Sequence, residues 1–247
     1  MVSMSERKKK VDRLTFLGTL AGGLAHEIKN PLSTISINLQ LMHEDWQDAE
    51  GPREKRTLKR IATLSKEIDR LEGIVNDFLT YARGFSLEKT AENINSVLVD
   101  LTTFLDPEAQ RRSIEVRTFL DPNAPLVQID TKYIRLALMN IIQNAFQAFD
   151  DDDDGAARQV LVGTRGFKES VEITVTDTAS GIPPEHRERI FQVYFSTKRS
   201  GTGLGLATVK RIIEEHDGTI SFTSEEGKGT SFTVHLPAAG GGKREGE

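Results

Sequence analysis

Ala25-His26-Glu27-Ile28-Lys29-Asn30-Pro31 stands near the start of this 247-residue chain, inside a run whose apolar positions recur at helical spacing. Leu14, Leu17, Leu20, Leu24, Ile28, Leu32, Ile35, Leu39 and Met42 mark one helix over about Ser5 to Glu44. Leu58, Ile61, Leu64, Ile68, Leu71, Val75 and Leu79 mark a second, and the polar stretch Asp45 to Lys55, with Gly51-Pro52 inside it, reads as the turn of a helical hairpin. Two such stripes are too large to satisfy each other, which predicts a homodimer closing a four-helix bundle; a plain coiled-coil spacer is the other reading of the same pattern. His26 falls off the stripe of Leu17, Leu20, Leu24 and Ile28, so it faces solvent, where a group-accepting nucleophile has to be; an exposed histidine without a role is the blander alternative. Glu27 beside it can orient one ring nitrogen. Pro31 cannot donate to the helix ladder and predicts a bend one turn beyond His26.

Outward from this hairpin the helical period ends at Tyr81-Ala82-Arg83-Gly84, and helices and strands then alternate. Val97 to Gln110 and Tyr133 to Phe149 read as helices. Ser113 to Leu120, Leu126 to Asp130, Gln159 to Thr164, Val171 to Asp177, Thr219 to Ser224 and Ser231 to Leu236 read as strands. That order predicts an α/β sandwich, a mixed sheet with helices on one face, spanning residues 87–237 after a hairpin domain of residues 1–86. The glycine- and charge-rich tail, residues 238–247, has nothing to bury and is expected to be disordered. Near its end the chain carries Gly201-Thr202-Gly203-Leu204-Gly205-Leu206 before a helical pattern running to Glu215. Closely spaced glycines at a helix start suit backbone amides that wrap phosphates. A single such loop is more often a turn.

Composition narrows the chemistry. A net charge of −5 provides no broad cationic field, which argues against nucleic acid as the main partner. With no cysteine, disulfides, thiolate catalysis and cysteine-held zinc are excluded, and a reducing cytoplasm fits. No stretch reaches the roughly 20 apolar residues of a membrane span.

The hairpin histidine and the glycine-rich loop, in this order and with an asparagine-rich helix and an Asp-x-x-x-Gly turn between them, resemble the sensor histidine kinases of two-component signalling. Asn140-Ile141-Ile142-Gln143-Asn144-Ala145 resembles the N-box of the ATP domain that these kinases share with Hsp90-type chaperones, type II topoisomerases and MutL-like proteins. Its two asparagines lie four apart on one helix face, and a neutral Asn144 carbonyl suits magnesium, a cation that prefers hard oxygen ligands. Asn140 is expected at a phosphate or a bridging water. Asp177 to Gly181 resembles the adenine-reading turn, in which a carboxylate accepts from the exocyclic amine and Gly181 lets backbone approach the ring. Where that pattern has its first glycine this chain has Ala179, so a positive φ there would be strained.

Ile190 to Lys198 resembles the aromatic stretch before a mobile lid, whose aromatics are expected to anchor the lid, with Lys198 and Arg199 available to neutralise phosphate charge. Gly201, Thr202, Gly203, Leu204, Gly205 and Leu206 resemble the glycine box, and Gly229-Thr230 a later short glycine pair. Gln147 stands where many relatives carry a cation. The resemblance covers residues 12–237. It implies a Bergerat-type ATP domain, ATP and Mg2+ as cofactors, autophosphorylation on His26 assisted by Glu27, and transfer to an aspartate of a response regulator receiver domain. It also implies an Asn30 that orients a water for dephosphorylation of that aspartate. A regulatory scaffold or phosphatase-dominant protein with weak kinase turnover is the alternative. Because such kinases usually carry a sensory region ahead of the histidine, either that region is elsewhere on a longer chain or the input comes from a separate partner.

Overall fold

The computed structural model describes residues 28, 31–44, 46, 51–83, 86–150, 157–197 and 203–240. Two compact units divide the chain, Met1–Gly84 with Ser196–Leu204, and Phe85–Phe195 with Gly205–Glu247.

In the first unit, α1 (residues 31–44) is followed by α2 (Pro52–Arg83). The turn expected over Asp45 to Lys55 is cut short at Gly51, because Pro52 opens α2. Proline lacks the N–H that a first helical residue leaves unpaired anyway, and its fixed φ suits that position. Leu32 and Leu39 on α1 bury against Ile61 and Ile68 on α2. A second stripe stays open in the single chain: Ile35 is 45% exposed, Met42 45% and Leu64 55%. Pro31 is the first residue of α1, while His26 and most of the turn across which the bend is expected lie outside the described residues.

The second unit runs β1 (Thr90–Glu92), α3 (Ile94–Arg111), β2 (Glu115–Phe119), β3 (Val127–Ile129), α4 (Thr131–Gln147), β4 (Gln159–Gly166), β5 (Ser170–Asp177), α5 (Pro184–Arg187), α6 (Gly205–Glu215), β6 (Thr219–Glu225) and β7 (Gly229–Pro237). Five strands form one sheet in the order β2-β4-β5-β7-β6, parallel between β2 and β4 and antiparallel elsewhere. Along β5, Val171, Ile173 and Val175 are buried while Glu172, Thr174 and Thr176 are half-exposed, the period-2 alternation of a sheet covered on one side. The covering layer is α3, α4 and α6. Leu98 and Leu101 of α3, Ile134, Leu138 and Phe146 of α4 and Ile212 of α6 are completely buried with Val160 and Leu236 of the sheet. Burying each such side chain contributes about 1.5–3 kcal/mol.

Two details depart from expectation. β1 is too short to show a period, yet it pairs antiparallel with β3 in a separate two-stranded sheet. Ala238 and Ala239 belong to the fold rather than to a disordered tail. Ala238 is buried and bridges Val127, its N–H donates to the Glu169 carbonyl, and the Ala239 N–H donates to Leu126. Two unpaired backbone edges supply the partners that composition alone hides. No helix among the described residues is long and apolar enough to cross a membrane.

Candidate nucleotide site

Asp177 ends β5, and only 4% of it is exposed. Burying a carboxylate is costly unless it is hydrogen-bonded. Here Oδ1 accepts from the backbone N–H of Ala179 and of Thr230, each at 3.1 Å. The first bond is local and shapes the turn. The second comes from β7, 53 residues along the chain. Glycine at 229 makes this approach possible: φ is +105°, and a Cβ there would stand 2.0 Å from the Asp177 carbonyl oxygen. Ser224 completes the clamp, its hydroxyl accepting from the Ile182 N–H at 2.7 Å and donating to the Gly229 carbonyl at 3.1 Å. Thr230 and Asp177 thus meet, a contact that neither motif announced, and Ser224 carried no signal in the sequence because a β-hairpin turn brings it there.

The two small residues of this turn differ in what holds them. Gly181 has a φ of +73°, but the direction its Cβ would take is filled by the Glu225 carbonyl at 2.3 Å. Its missing side chain therefore serves the packing of the turn on the β6–β7 hairpin. The strain expected at Ala179 is absent. Among the described non-glycine residues only Ser113, Tyr194 and Asp217 have positive φ, and Ala179 is 2% exposed with its methyl in the core.

Asn140 and Asn144 sit half-buried on α4, whose opposite face carries the fully buried Ile141, Ile142 and Phe146. The Asn140 amide donates to the Leu136 carbonyl at 3.0 Å. That bond turns its Oδ1 toward the first residue of α6: a Cβ on Gly205 would lie 3.5 Å from it. The asparagine face and the N-terminus of α6 thereby adjoin, and free N–H groups at such a terminus favour anions. Leu206 packs half-buried on the core and seats that terminus. α4 also packs against β5, the strand that ends in Asp177. Gly203 has a φ of +68° and Leu204 is 1% exposed. His26, Glu27, Asn30, Lys198, Gly201 and Thr202 lie outside the described residues.

The aromatic stretch is anchored by its phenylalanines. Phe191 meets Phe222 and Phe232 edge-on at 6.0 and 6.5 Å. Phe195 lies 5.5 Å from the His186 ring and 4.4 Å beneath the Arg189 guanidinium. Tyr194, expected to share this role, is instead 68% exposed with a φ of +63°.

Comparison with known proteins draws the two units under one heading. The His Kinase A (phospho-acceptor) domain family matches residues 16–84, and the histidine kinase-, DNA gyrase B-, and HSP90-like ATPase family matches residues 129–240. The chain belongs to the sensor histidine kinases. The sensor histidine kinase ZraS of Escherichia coli K12 is 35% identical over 95% of this chain and 48% of its own length. Sporulation kinase E of Bacillus subtilis is 28% identical over 95% of this chain and 30% of its own length. The chain spans about half the length of the first of these sensor kinases, or less. Among solved structures, histidine kinase ShkA in complex with AMPPNP aligns with a TM-score of 0.74 and 25% identity, over 90% of this chain and 46% of that one. Histidine kinase ThkA in complex with response regulator protein TrrA aligns with a TM-score of 0.66 and 26% identity, over 97% of this chain and 67% of that one. The clamped Asp177, the asparagine face of α4 and the glycine-led start of α6 all lie within residues 129–240, the stretch that the ATPase family matches.

Proposed function

We propose that this chain is an ATP-dependent histidine autokinase that phosphorylates His26 and passes the phosphoryl group to an aspartate of a response regulator in the cytoplasm. The observation that carries this reading is the Asp177 carboxylate, buried and held by two backbone N–H groups at the end of β5. A carboxylate so held accepts a hydrogen bond from the exocyclic amine of adenine and repels the oxygen that guanine presents in its place. Asn140 and the α6 N-terminus, from Gly205, would face the phosphates, and Lys198, Gly201, Thr202 and Gly203 are proposed as nucleotide contacts on their motif alone. The residues present fit Mg2+ through the neutral Asn144 carbonyl. When bound, the ion would neutralise charge on the phosphate oxygens.

In the transfer, a His26 ring nitrogen attacks the γ-phosphorus, the bond from phosphorus to the ADP oxygen breaks, and Glu27 takes up or orients the ring proton. Asn30, one turn beyond, would orient water toward the regulator's aspartyl phosphate, adding phosphatase activity on the same helix. A homodimer is supported by the open stripe of Ile35, Met42 and Leu64, which a second copy would cover in a four-helix bundle. The proposed organisation is a hairpin domain of residues 1–86 and an ATP-binding domain of residues 87–237. The alternative of a scaffold with weak kinase turnover loses its motive, because Ala179 carries no backbone strain.

Incubation with γ-labelled ATP and magnesium tests the reading. The label is expected to be acid-labile and base-stable, as a phosphoramidate is. His26→Ala is expected to abolish it while nucleotide affinity stays unchanged. Equal labelling of that variant would remove His26 as the acceptor.

A further inference from the structure

At the far end of α4 from its asparagines, three chain segments meet around one buried imidazole. His216 follows the last residue of α6 and is 1% exposed. The backbone N–H of Asp130, the N-cap of α4, donates to His216 Nε2 at 3.0 Å, so that nitrogen must be unprotonated. The ring's one proton therefore sits on Nδ1, which donates to the Ile212 carbonyl at 2.7 Å. Asp130 in turn holds three groups: Oδ1 accepts from the N–H of Lys132 and Tyr133, and Oδ2 accepts from the Glu88 N–H at 3.0 Å. Next to His216, Asp217 turns the chain with a φ of +58° and pairs with Lys89 at 2.9 Å. Glu88 and Lys89 belong to the segment entering β1.

The two helices joined here are the two that build the proposed nucleotide site, and they run antiparallel. His216, after α6, meets Asp130, before α4, whereas Gly205, at the start of α6, adjoins Asn140 ten residues into α4. The rise of about 1.5 Å per residue makes the two spans, Asp130 to Asn140 and Gly205 to His216, each about 15 Å long. A bond at one end therefore decides the axial register at the other. We propose that His216 is a positioning residue for nucleotide binding, its neutral imidazole pinning α6 to the α4 N-cap so that the N-terminus of α6 stands level with Asn140 and Asn144.

Protonation of Nε2 would replace an acceptor with a donor facing the Asp130 N–H, and the pin would be lost. The charged groups around the ring are Lys89 from the entry segment, Asp130 from α4 and Asp217 from the end of α6; the cation disfavours the imidazolium and the two carboxylates favour it. Burial is the largest influence and holds the ring toward its neutral form. Acidification should thus weaken nucleotide binding through a residue placed a full helix length from the phosphates.

The inference rests on the ATP reading, and the full chain tests both together. Affinity for a fluorescent ATP analogue with Mg2+ is measured at pH 7.5 and 5.5 for the wild type, His216→Gln and His216→Leu; binding is used because His26 titration would confuse a phosphorylation readout. Glutamine keeps an acceptor near the Nε2 position and cannot gain a proton. It is expected to bind near the wild-type level at pH 7.5 and to lose less on acidification, the wild type losing on the order of tenfold more, the size of an ordinary coupling between sites. His216→Leu is expected to bind more weakly at both pH values, with its far-UV circular dichroism retained. Identical pH dependence in the wild type and His216→Gln overturns the positioning role while leaving the ATP reading intact. Absence of wild-type binding at pH 7.5 takes away both.

Discussion

At the scale of single residues, the turn proposed to face adenine depends on the side chains that Gly181 and Gly229 lack as much as on the carboxylate it presents. Gly229 has no tolerance for a methyl group, with its Cβ position 2.0 Å from a backbone oxygen and φ at +105°. Gly229→Ala is expected to cost at least about 1–3 kcal/mol from backbone strain alone and to displace the Thr230 N–H from Asp177. Thermal melting would show a fall of several degrees, accompanied by weaker nucleotide binding; an unchanged melting temperature would mean that the hairpin relaxes freely. Ala179→Gly makes the opposite case. Because Ala179 occupies ordinary backbone and packs in the core, restoring a glycine should destabilise by about 0.4–1 kcal/mol through the unfolded chain and leave nucleotide affinity unimproved. Titration of the variant with an ATP analogue checks this.

Elements carry the next level of organisation, and the α4–α6 pair shows it most clearly. α4 was legible because Ile134, Leu138, Ile141, Ala145 and Phe149 recur at helical spacing and leave Asn140 and Asn144 on the other side. Its capping by Asp130, and the bond from Asp130 to His216, were not, since that bond joins positions 86 apart. The same bond predicts a pH-dependent stability. Burial lowers the folded-state pKa of His216 below 6.5. The unfolded chain then binds the proton more readily, so stability is fully present above about pH 6.5 and is lost as pH falls from there through the folded-state value. Melting temperature should decline over that interval in the wild type and less in His216→Gln. His216→Leu, which strands the Asp130 N–H, is expected to lose about 1–3 kcal/mol at neutral pH.

On the scale of the whole molecule, the proposed acceptor and the proposed nucleotide domain fall in stretches matched by different families, residues 16–84 and 129–240, so their activities should separate by mutation. Asn30 stands four residues after His26 in the sequence and has no part in the proposed nucleotide site. Asn30→Ala is expected to label His26 normally and to slow dephosphorylation of the regulator, by about 2–4 kcal/mol if its amide acts as a single transition-state donor does. Following the decay of phosphorylated regulator in the presence of ADP measures it. Decay at the wild-type rate would make Asn30 a solvated helix position.

What the sequence determined by itself was whatever repeats locally or is spelled by adjacent residues. The heptad-like stripes marked the hairpin, β-branched alternation marked β4, β5 and β7, and contiguous motifs marked Asn140, Asn144, Asp177 and Gly201 to Leu206. Tertiary structure alone decided the matters that depend on distant segments meeting. It set Gly181 against Glu225 and Thr230 against Asp177, ran the fold on through Ala238 by giving its N–H a partner, and put Tyr194 outside the anchor that Phe191 and Phe195 form. The physical reason is that propensity and periodicity act over a few residues, whereas a buried polar group must be satisfied by whichever donor or acceptor the folded chain brings within reach.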